Sequence, residues 1–302
     1  FLHRPEGAEF DFTDVRPDDV VILPAFGVTV RDFERLRALG CVLVDTTCGS
    51  VLNVWKRVES YAKDGFTALI HGKHHHEETK ATASQVTKYP GGKYLIVRDM
   101  DEAREVCAYI EGAGSREQFP QGFKDKASPG FDPDQDLTRI GVANQTTMLS
   151  NESLAIAEEV RRSMTRRYGE AHVAEHFRTF DTICSATQER QDAVLKLIAE
   201  PLDLMIVIGG YNSSNTTHLA AICHDRVPTY HIEDAACIEP ATGAIRYRPA
   251  GGQVETRRES WLPAGPVTVG LTAGASTPNN KIGETIARIL ATRGVELEAV
   301  LG

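Results

Sequence analysis

Short runs of apolar residues recur along the chain, and most are bounded by glycine, proline or polar residues. Apolar runs of about four to eight residues are typical of strands that are buried on both faces. The sequence therefore predicts strands at residues 20–24, 41–44, 66–70, 94–97, 139–143, 203–208, 227–231 and 267–271, with a weaker signal at 177–180.

Between these strands, apolar residues fall at the three-to-four spacing of one helical face. Helices are predicted at residues 31–39, from Cys48 to 63, 100–110, 152–167, from Cys184 to 200, from 218 onward and at 282–292. Strands that alternate with helices form mainly parallel sheets, and ligands bind beyond the carboxyl ends of such strands. The chain is therefore predicted to be an α/β protein with functional residues in the turns that follow its strands.

Two stretches interrupt this alternation. Residues 111–136 and 238–265 are rich in glycine and proline, which favour turns over helices and strands. The first is predicted to be a long surface loop or insertion, and the second a similar excursion from the sheet.

The composition of the 302-residue chain suits a globular protein of two or three modules, with 41% hydrophobic and 25% charged residues. A net charge of −9 argues against nucleic acid or an anionic membrane as the main partner. The longest apolar run, at residues 204–208, is far too short to cross a bilayer. The chain opens with FLHRPEG, which has neither methionine nor a signal peptide, so further sequence is expected upstream.

The six cysteines form neither a CxxC pair nor a dense framework, which favours reduced thiols and a cytosolic compartment. Two of them, Cys48 and Cys184, share the sequence Asp-Thr-x-Cys and are followed by a helical pattern. Each is predicted at a strand-to-helix turn, where unpaired amides and the helix dipole favour the thiolate. One such cysteine is more often structural, but two in matched contexts indicate ligands of one metal centre.

The turns after three other strands are rich in hydroxyl and amide side chains. They are Gln145-Thr146-Thr147, the segment 212–215 and the segment 272–276. Such side chains beside the free amides of a helix N-terminus make an anion site that suits phosphate or diphosphate. Serine, threonine and asparagine are also ordinary N-caps, but three similar turns favour binding. The sequence contains no Walker motif or GxGxxG, so ATP and dinucleotides are not favoured.

A run of histidines and glutamates follows the predicted strand at residues 66–70. Its histidines are adjacent and lack the spacing of an HExxH zinc site. A proton relay to a bound ligand fits better, because His76 and Glu78 would lie on the same face of an extended segment.

Six motifs occur in order: DTTCGSVLNVW, HGKHHHEETKATASQ, ANQTTM, DTICSATQERQ, GGYNSSNTTHL and TAGASTP. Together they resemble the 4-hydroxy-3-methylbut-2-enyl diphosphate reductase family, the last enzyme of the non-mevalonate isoprenoid pathway. The resemblance covers most of the chain and is strongest to the longer form of plants and cyanobacteria.

The resemblance implies three pseudo-symmetric α/β modules around a central [4Fe–4S] cluster that three cysteines hold, with one iron open to the substrate. It assigns Cys48 and Cys184 as two of these ligands. His76, Glu78 and Thr146 would be catalytic, with Glu78 supplying protons through Thr146 or a water. The substrate would be bound by His76, Gln145, Thr146, Ser213, Ser214, Asn215 and Ser276.

The implied reaction is a two-electron reductive dehydroxylation that gives isopentenyl and dimethylallyl diphosphates. Its electrons would come from ferredoxin or flavodoxin, and neither nucleic acid nor a membrane would be a partner. The compartment would be the cytoplasm, or the plastid stroma in a photosynthetic eukaryote.

The predicted domains are the remainder of the first module at 1–46, the second module at 47–180 and the third at 181–302. The second includes the 111–136 insertion, and the C-terminal helix could pack on the first. The resemblance places the third cluster cysteine upstream of residue 1, so the first module is expected to be incomplete here.

Individual positions also depart from the family pattern. Phe26 stands where some members have histidine, and Gly49 stands where proline is frequent. Of the other cysteines, only Cys237 has a predicted loop position that would let it stand in as the third ligand.

Two further functions stay open. One is an iron–sulfur hydro-lyase, which would need no external electron donor. The other is a diphosphate-binding relative that has lost the cluster and catalysis.

Overall fold

The computed structural model describes residues 10–180 and 184–296. The chain divides into two compact units, Phe1–Ile183 and Cys184–Gly302. The boundaries of the three predicted modules remain a prediction.

The strands alternate with helices through most of the chain. The strands are β1 (Val20–Leu23), β2 (Val42–Asp45), β3 (Thr67–His71), β4 (Tyr94–Val97), β5 (Ile140–Asn144), β6 (Phe177–Thr179), β7 (Leu204–Ile208), β8 (Thr229–Ile232), β9 (Ile238–Glu239), β10 (Ala244–Tyr247), β11 (Thr256–Glu259) and β12 (Val269–Ala273).

The helices follow the strands at the predicted places, with some additions. The α-helices are α1 (Val30–Ala38), α2 (Gly49–Lys63), α3 (Glu77–Ser84), α4 (Met100–Ile110), α5 (Phe119–Gly122), α6 (Pro133–Asp136), α7 (Ser150–Tyr168), α8 (Val173–His176), α9 (Ser185–Leu197), α10 (Ser214–His224) and α11 (Asn279–Ala291), with 3-10 turns at Gln85–Lys88 and Ala235–Cys237.

The main sheet of the first unit has the order β4-β3-β5-β6, and all its neighbouring strands are parallel. Every residue of β3 and β5 is buried, which explains the apolar runs at residues 68–70 and 140–143. Helices α2 and α3 cover one face, and α4 and α7 cover the other. The Tyr61 ring lies against Gly141, where an added Cβ would come within 2.4 Å of it, so only glycine fits this point of β5.

A second parallel pair, β1 and β2, lies in the same unit. One of its faces packs against α1 through Leu23 and Leu36. The other face presents Val20, Ile22, Val42 and Val44 to solvent, with exposed fractions of 42–68%.

The second unit is built on the parallel sheet β12-β7-β8. The central strand β7 is buried throughout, with α9 and α10 contributing to the core on one side. The core on the other side contains Ile289 of α11 and residues of an antiparallel sheet, β11-β10-β9. The predicted α/β class with mostly parallel sheets is therefore confirmed in each unit.

The two glycine- and proline-rich stretches are more ordered than predicted. Residues 111–136 contain two short helices, and Phe119 and Phe123 are buried in the core of the first unit. Residues 238–265 contain the antiparallel sheet and bury Ile245 and Trp261. The surface-loop prediction was wrong for these parts because single aromatic or aliphatic residues anchor them, which leaves no periodic signal.

In residues 10–180 and 184–296, no helix has both the length and the hydrophobicity that crossing a bilayer requires.

Candidate functional site

The polar turns of the first unit meet at one edge of its main sheet. Strands β3 and β5 are parallel neighbours, and His71 at the end of β3 pairs with Asn144 at the end of β5. The histidine run therefore leaves the sheet beside the Gln145-Thr146 turn. This is the arrangement that the sequence predicted for residues after parallel strands.

Glu78 is the buried acid of this edge. Its side chain is 3% exposed, and its Oε1 accepts a hydrogen bond from the Thr146 amide at 2.5 Å. Burial raises the pKa of Glu78 above its ordinary value, while the backbone and side-chain hydrogen bonds from Thr146 partly oppose that rise. A carboxyl group whose protonated form is favoured in this way can deliver a proton to a bound ligand.

His76 is the N-cap of α3, and its Nδ1 accepts a hydrogen bond from the Glu78 amide at 3.2 Å. That bond leaves the other ring nitrogen, Nε2, as the one that carries hydrogen in the neutral ring. Burial, and next the charge of Lys73, lower the pKa of His76, so the ring is a neutral donor. The extended segment that was predicted for residues 76–78 was wrong, since the chain turns into α3 at Glu77.

Gln145 is fully buried beside this pair. Its Oε1 accepts hydrogen bonds from the Lys73 amide at 3.1 Å and from the Thr79 hydroxyl at 3.0 Å. Its Nε2 donates to the Thr147 hydroxyl at 2.8 Å. These partners fix the orientation of the amide and connect the turn after β5 to the start of α3.

Cys48 is the N-cap of α2, as predicted, and its thiol is exposed. Its amide donates to the carbonyl of Ala25 at 2.8 Å. The adjacent Phe26 ring lies edge-on to His76, with 6.3 Å between ring centroids. The turn after β1 therefore contacts both the Cys48 turn and His76, which places the candidate ligand and the candidate donor on the same side of the first unit.

Cys184 is the N-cap of α9 in the second unit, again as predicted, and it is half-buried. The other four cysteines, Cys41, Cys107, Cys223 and Cys237, are buried. Burial raises the pKa of Cys107 to about 11 and that of Cys223 to about 12, which disfavours the thiolate that binds metal. Cys48 and Cys184 are thus the cysteines that solvent or a cofactor can reach.

Cys237 lies in the 3-10 turn Ala235–Cys237 and not in the predicted loop. Its Sγ faces Glu255 Oε1 at 3.8 Å, and the thiol is buried among apolar residues. This environment argues against its use as a stand-in ligand.

In the second unit, two polar turns meet at the edge where β7 and β12 end, because Ile208 pairs with Ala273. Ser213 is the N-cap of α10, and its hydroxyl accepts a hydrogen bond from the Thr216 amide at 3.3 Å. Asn215 Oδ1 accepts a hydrogen bond from the Ala275 amide at 2.9 Å, which joins the two turns. Helix α10 begins at Ser214, four residues before the predicted start, because its first turn is polar.

The residues at this edge of the sheet are closely packed, and some of their polar atoms lack hydrogen-bond partners. An added Cβ at Gly274 would lie 2.2 Å from Thr216 Oγ1. Within the described ranges, Asn215 Nδ2 and Thr216 Oγ1 are buried without a hydrogen-bond partner. Ser214 is buried and Ser276 is exposed. Hydrogen-bond donors without partners, next to the free amides of a helix N-terminus, are suited to bind the oxygens of an anion.

Across the described part of the chain, no three or more histidine, cysteine, aspartate or glutamate side chains gather as a metal site. The candidate ligands Cys48 and Cys184 belong to different units, so the first unit holds one and the second the other. Their donor chemistry, two accessible thiols at helix N-termini, fits an iron–sulfur cluster.

The sequence did not single out Thr79, Gly72 or Gly274, which pack against the candidate residues. The signal available for them was weak, because small residues next to a polar motif are common in any turn. Helix α3 was also missed, since its buried residues are mostly alanine and threonine and give little apolar pattern.

The sequence matches the family described as LytB protein over residues 4–290. It is 52% identical over 286 residues to a 4-hydroxy-3-methylbut-2-enyl diphosphate reductase of Thermosynechococcus vestitus, with 94% of this chain and 69% of the relative covered. The enzyme of the same name from Gloeobacter violaceus is 51% identical over 286 residues, with 94% and 67% covered.

Among solved structures, the chain is similar to the E-1-hydroxy-2-methyl-but-2-enyl-4-diphosphate reductase from Plasmodium falciparum. The TM-score is 0.64 at 20% identity, and the match covers 93% of this chain and 70% of that one. This likeness supports the α/β fold.

Proposed function

The chain belongs to the LytB protein family, and on that premise we propose that it reduces 4-hydroxy-3-methylbut-2-enyl diphosphate to isopentenyl and dimethylallyl diphosphates. This is an oxidoreductase reaction of the non-mevalonate isoprenoid pathway. The observation that carries the proposal is the buried acid Glu78, held by Thr146 beside a neutral His76. The relatives named as this reductase support it.

The reaction needs protons as well as electrons. The allylic alcohol takes up two electrons and two protons, loses its hydroxyl oxygen as water and gains one hydrogen on carbon. Glu78 supplies the proton that turns the hydroxyl into a leaving water, because burial raises its pKa and so favours the protonated carboxyl. His76, as a neutral ring, donates from Nε2 and orients the oxygen of the substrate.

A [4Fe–4S] cluster would be held by Cys48, Cys184 and a third cysteine expected upstream of residue 1. When bound, such a cluster supplies electrons one at a time and a Lewis-acidic iron for the hydroxyl. The positions of Cys48 and Cys184 at helix N-termini support their part in this site.

The diphosphate would be held by the turns of the second unit. Ser213, Ser214 and Asn215 open α10, and Ser276 lies in the neighbouring turn. Their hydroxyls, the first amides of α10 and the unpartnered Asn215 Nδ2 are donors for phosphate oxygens. Gln145 and Thr146 would keep the reacting end of the substrate close to Glu78.

Ferredoxin or flavodoxin is proposed as the electron donor, because these are the donors that the family resemblance implies. The compartment that follows is the cytoplasm of a bacterium or a plastid stroma. The cyanobacterial relatives are consistent with either.

The test is Glu78→Gln in the protein purified anaerobically together with any sequence that precedes residue 1. Glutamine keeps the size and the acceptor oxygen but cannot give a proton, so turnover should fall by about 100-fold or more. Iron and sulfide per chain should stay at the wild-type level. Turnover is measured with dithionite and a viologen as reductant.

Glu77→Gln is the matched control. Glu77 is the adjacent residue of α3, and its partly exposed carboxylate pairs with Lys80 at 3.1 Å. This variant should turn over at a rate close to that of the wild type. Normal turnover by Glu78→Gln would remove Glu78 as the proton donor, and turnover without any reductant would instead indicate a hydro-lyase.

A further inference from the structure

Helix α3 carries Glu78 and yet has little apolar surface of its own. It is eight residues long, and its buried positions are Glu78, Thr79, Ala81, Thr82 and Ala83. A short helix of this composition gains little stability from hydrophobic burial. Specific polar contacts must therefore set where its first turn lies, and with it the Glu78 carboxyl.

Two such contacts join consecutive residues of α3 to consecutive residues after β5. Glu78 Oε1 accepts from the Thr146 amide at 2.5 Å, and Thr79 Oγ1 donates to Gln145 Oε1 at 3.0 Å. The direction of the second bond is fixed, since Gln145 Oε1 also accepts from the Lys73 amide, which can only donate. Thr79 and Gln145 are both fully buried, so their bond is not exchanged for water.

Gly72 leaves the space that this contact needs. A Cβ at Gly72 would lie 2.8 Å from Thr79 Oγ1 and 3.1 Å from Gln145 Cβ. Any larger residue would displace the Thr79 hydroxyl or the Gln145 side chain. The glycine, the hydroxyl and the amide therefore act as one close-packed group.

We propose that Thr79 is a positioning residue that, through Gln145 and the space left by Gly72, sets the distance between the Glu78 carboxyl and the Thr146 amide. The role rests on the proposed function, in which Glu78 is the proton donor. Without the Thr79 hydroxyl, α3 loses one of its hydrogen bonds to the turn after β5. Proton delivery then slows, while the diphosphate contacts in the second unit are unchanged.

The test compares Thr79→Val, which keeps the shape but loses the hydroxyl, with Thr79→Ser, which keeps the hydroxyl. Thr79→Val should lower kcat about tenfold with KM within about twofold, because an interaction that aids only the chemical step is lost. Thr79→Ser should restore most of kcat. Gly72→Ala should reproduce the Thr79→Val phenotype by displacing the same hydroxyl.

Thr82→Val is the matched control within the same helix. Thr82 is as buried as Thr79, but its hydroxyl accepts from Trp55 Nε1 of α2 at 3.1 Å and does not contact Gln145. This variant also loses one buried hydroxyl and should keep the wild-type kcat. A loss of kcat in Thr82→Val or Thr79→Ser equal to that in Thr79→Val would overturn the proposal.

A second readout does not require turnover. The carboxyl band of Glu78 can be titrated by infrared difference spectroscopy of the protein, with Glu78→Gln as the reference. Since the Thr146 amide favours the ionised carboxylate, its displacement in Thr79→Val should move the Glu78 titration to higher pH, and Thr79→Ser should not. The titratable groups of the turn before α3, which are Lys73, His74, His75 and His76, are present in every variant.

Turnover and the infrared titration together distinguish a failure of the proposed function from a failure of the positioning role of Thr79. If the wild type does not reduce the allylic diphosphate, the proposed function fails, and the infrared titration still decides the role of Thr79. If Thr79→Val and Thr79→Ser titrate alike and share one kcat, the positioning role is wrong whatever the reaction is.

Discussion

At the scale of single residues, the candidate site depends on a carboxyl and an imidazole whose pKa values burial shifts in opposite directions. Burial raises the pKa of Glu78 and lowers that of His76, so both side chains favour their neutral forms. A protonated carboxyl can give a proton to a ligand, and a neutral imidazole can donate a hydrogen bond to it. The shifted pKa of Glu78 also makes the free energy of unfolding depend on pH.

The pH dependence of stability should report the Glu78 proton directly. Its native pKa lies above the unfolded value of about 4.3, so the stabilisation from binding this proton is complete below that pH and is lost as pH rises through the native pKa. Glu78→Gln cannot titrate. Its free energy of unfolding relative to the wild type should therefore rise with pH across that window, by about 1.4 kcal/mol for each unit between the two pKa values.

Urea unfolding at a series of pH values, followed by far-UV circular dichroism, measures this difference. Two curves that run parallel from acid to neutral pH would show that burial of Glu78 does not perturb its proton affinity.

At the scale of helices and strands, prediction from sequence succeeded where a local pattern determines the structure. The strands β3, β5 and β7 were predicted because they are buried on both faces and each contains a run of at least three non-polar residues. The helix starts after Cys48 and Cys184 were predicted from periodic apolar residues. Helix α3 and the β9–β11 sheet could not be predicted this way, because tertiary contacts place them and their own sequences carry no period.

The same limit applies to the site residues. Polar residues after strands were identified because parallel strands end at a common edge. The packing of Gly72 on Thr79, and of Gly274 on Thr216, joins residues that are distant in the sequence or carry no chemistry of their own. No pattern along one chain reports such contacts.

The polar turns of the second unit give a prediction about anion binding. Gly274→Ala would place a methyl group 2.2 Å from Thr216 Oγ1 and force apart the turns that Asn215 joins to Ala275. Inorganic diphosphate should then bind about tenfold more weakly, which is roughly the 1–1.5 kcal/mol of a displaced hydrogen bond. Isothermal titration calorimetry measures the change.

Gly210→Ala is the control for this substitution. An added Cβ at Gly210 has no neighbour within 4 Å, so diphosphate affinity should stay unchanged. Equal affinities for Gly274→Ala and the wild type would show that the anion does not bind at this edge.

At the scale of the whole molecule, the sequence predicted the fold class and three modules, and the structure gives two compact units with parallel sheets. The class follows from the alternation of strands and helices, which most of the chain displays. Whether Cys48 and Cys184 reach one metal centre depends on contacts between residues that are far apart in the sequence. That step stays a prediction from the family resemblance.

The exposed face of the β1–β2 pair has a consequence for the behaviour of the protein in solution. Val20 pairs with Val42 and Ile22 with Val44, so four aliphatic side chains form one continuous patch on the water side of the sheet. Attraction between such patches strengthens on warming. Concentrated samples of residues 1–302 should therefore scatter more light on warming and less again on cooling.

The double variant Ile22→Thr, Val42→Thr keeps β-branched residues in both strands while it places hydroxyls on the patch. Its light scattering should stay flat over the same temperature range, and clouding equal to that of the wild type would locate the sticky surface elsewhere. If the patch is responsible, association between copies of the chain weakens in the cold and on dilution. Cold, dilute storage would then keep the samples clear, because four exposed aliphatic side chains cause the association.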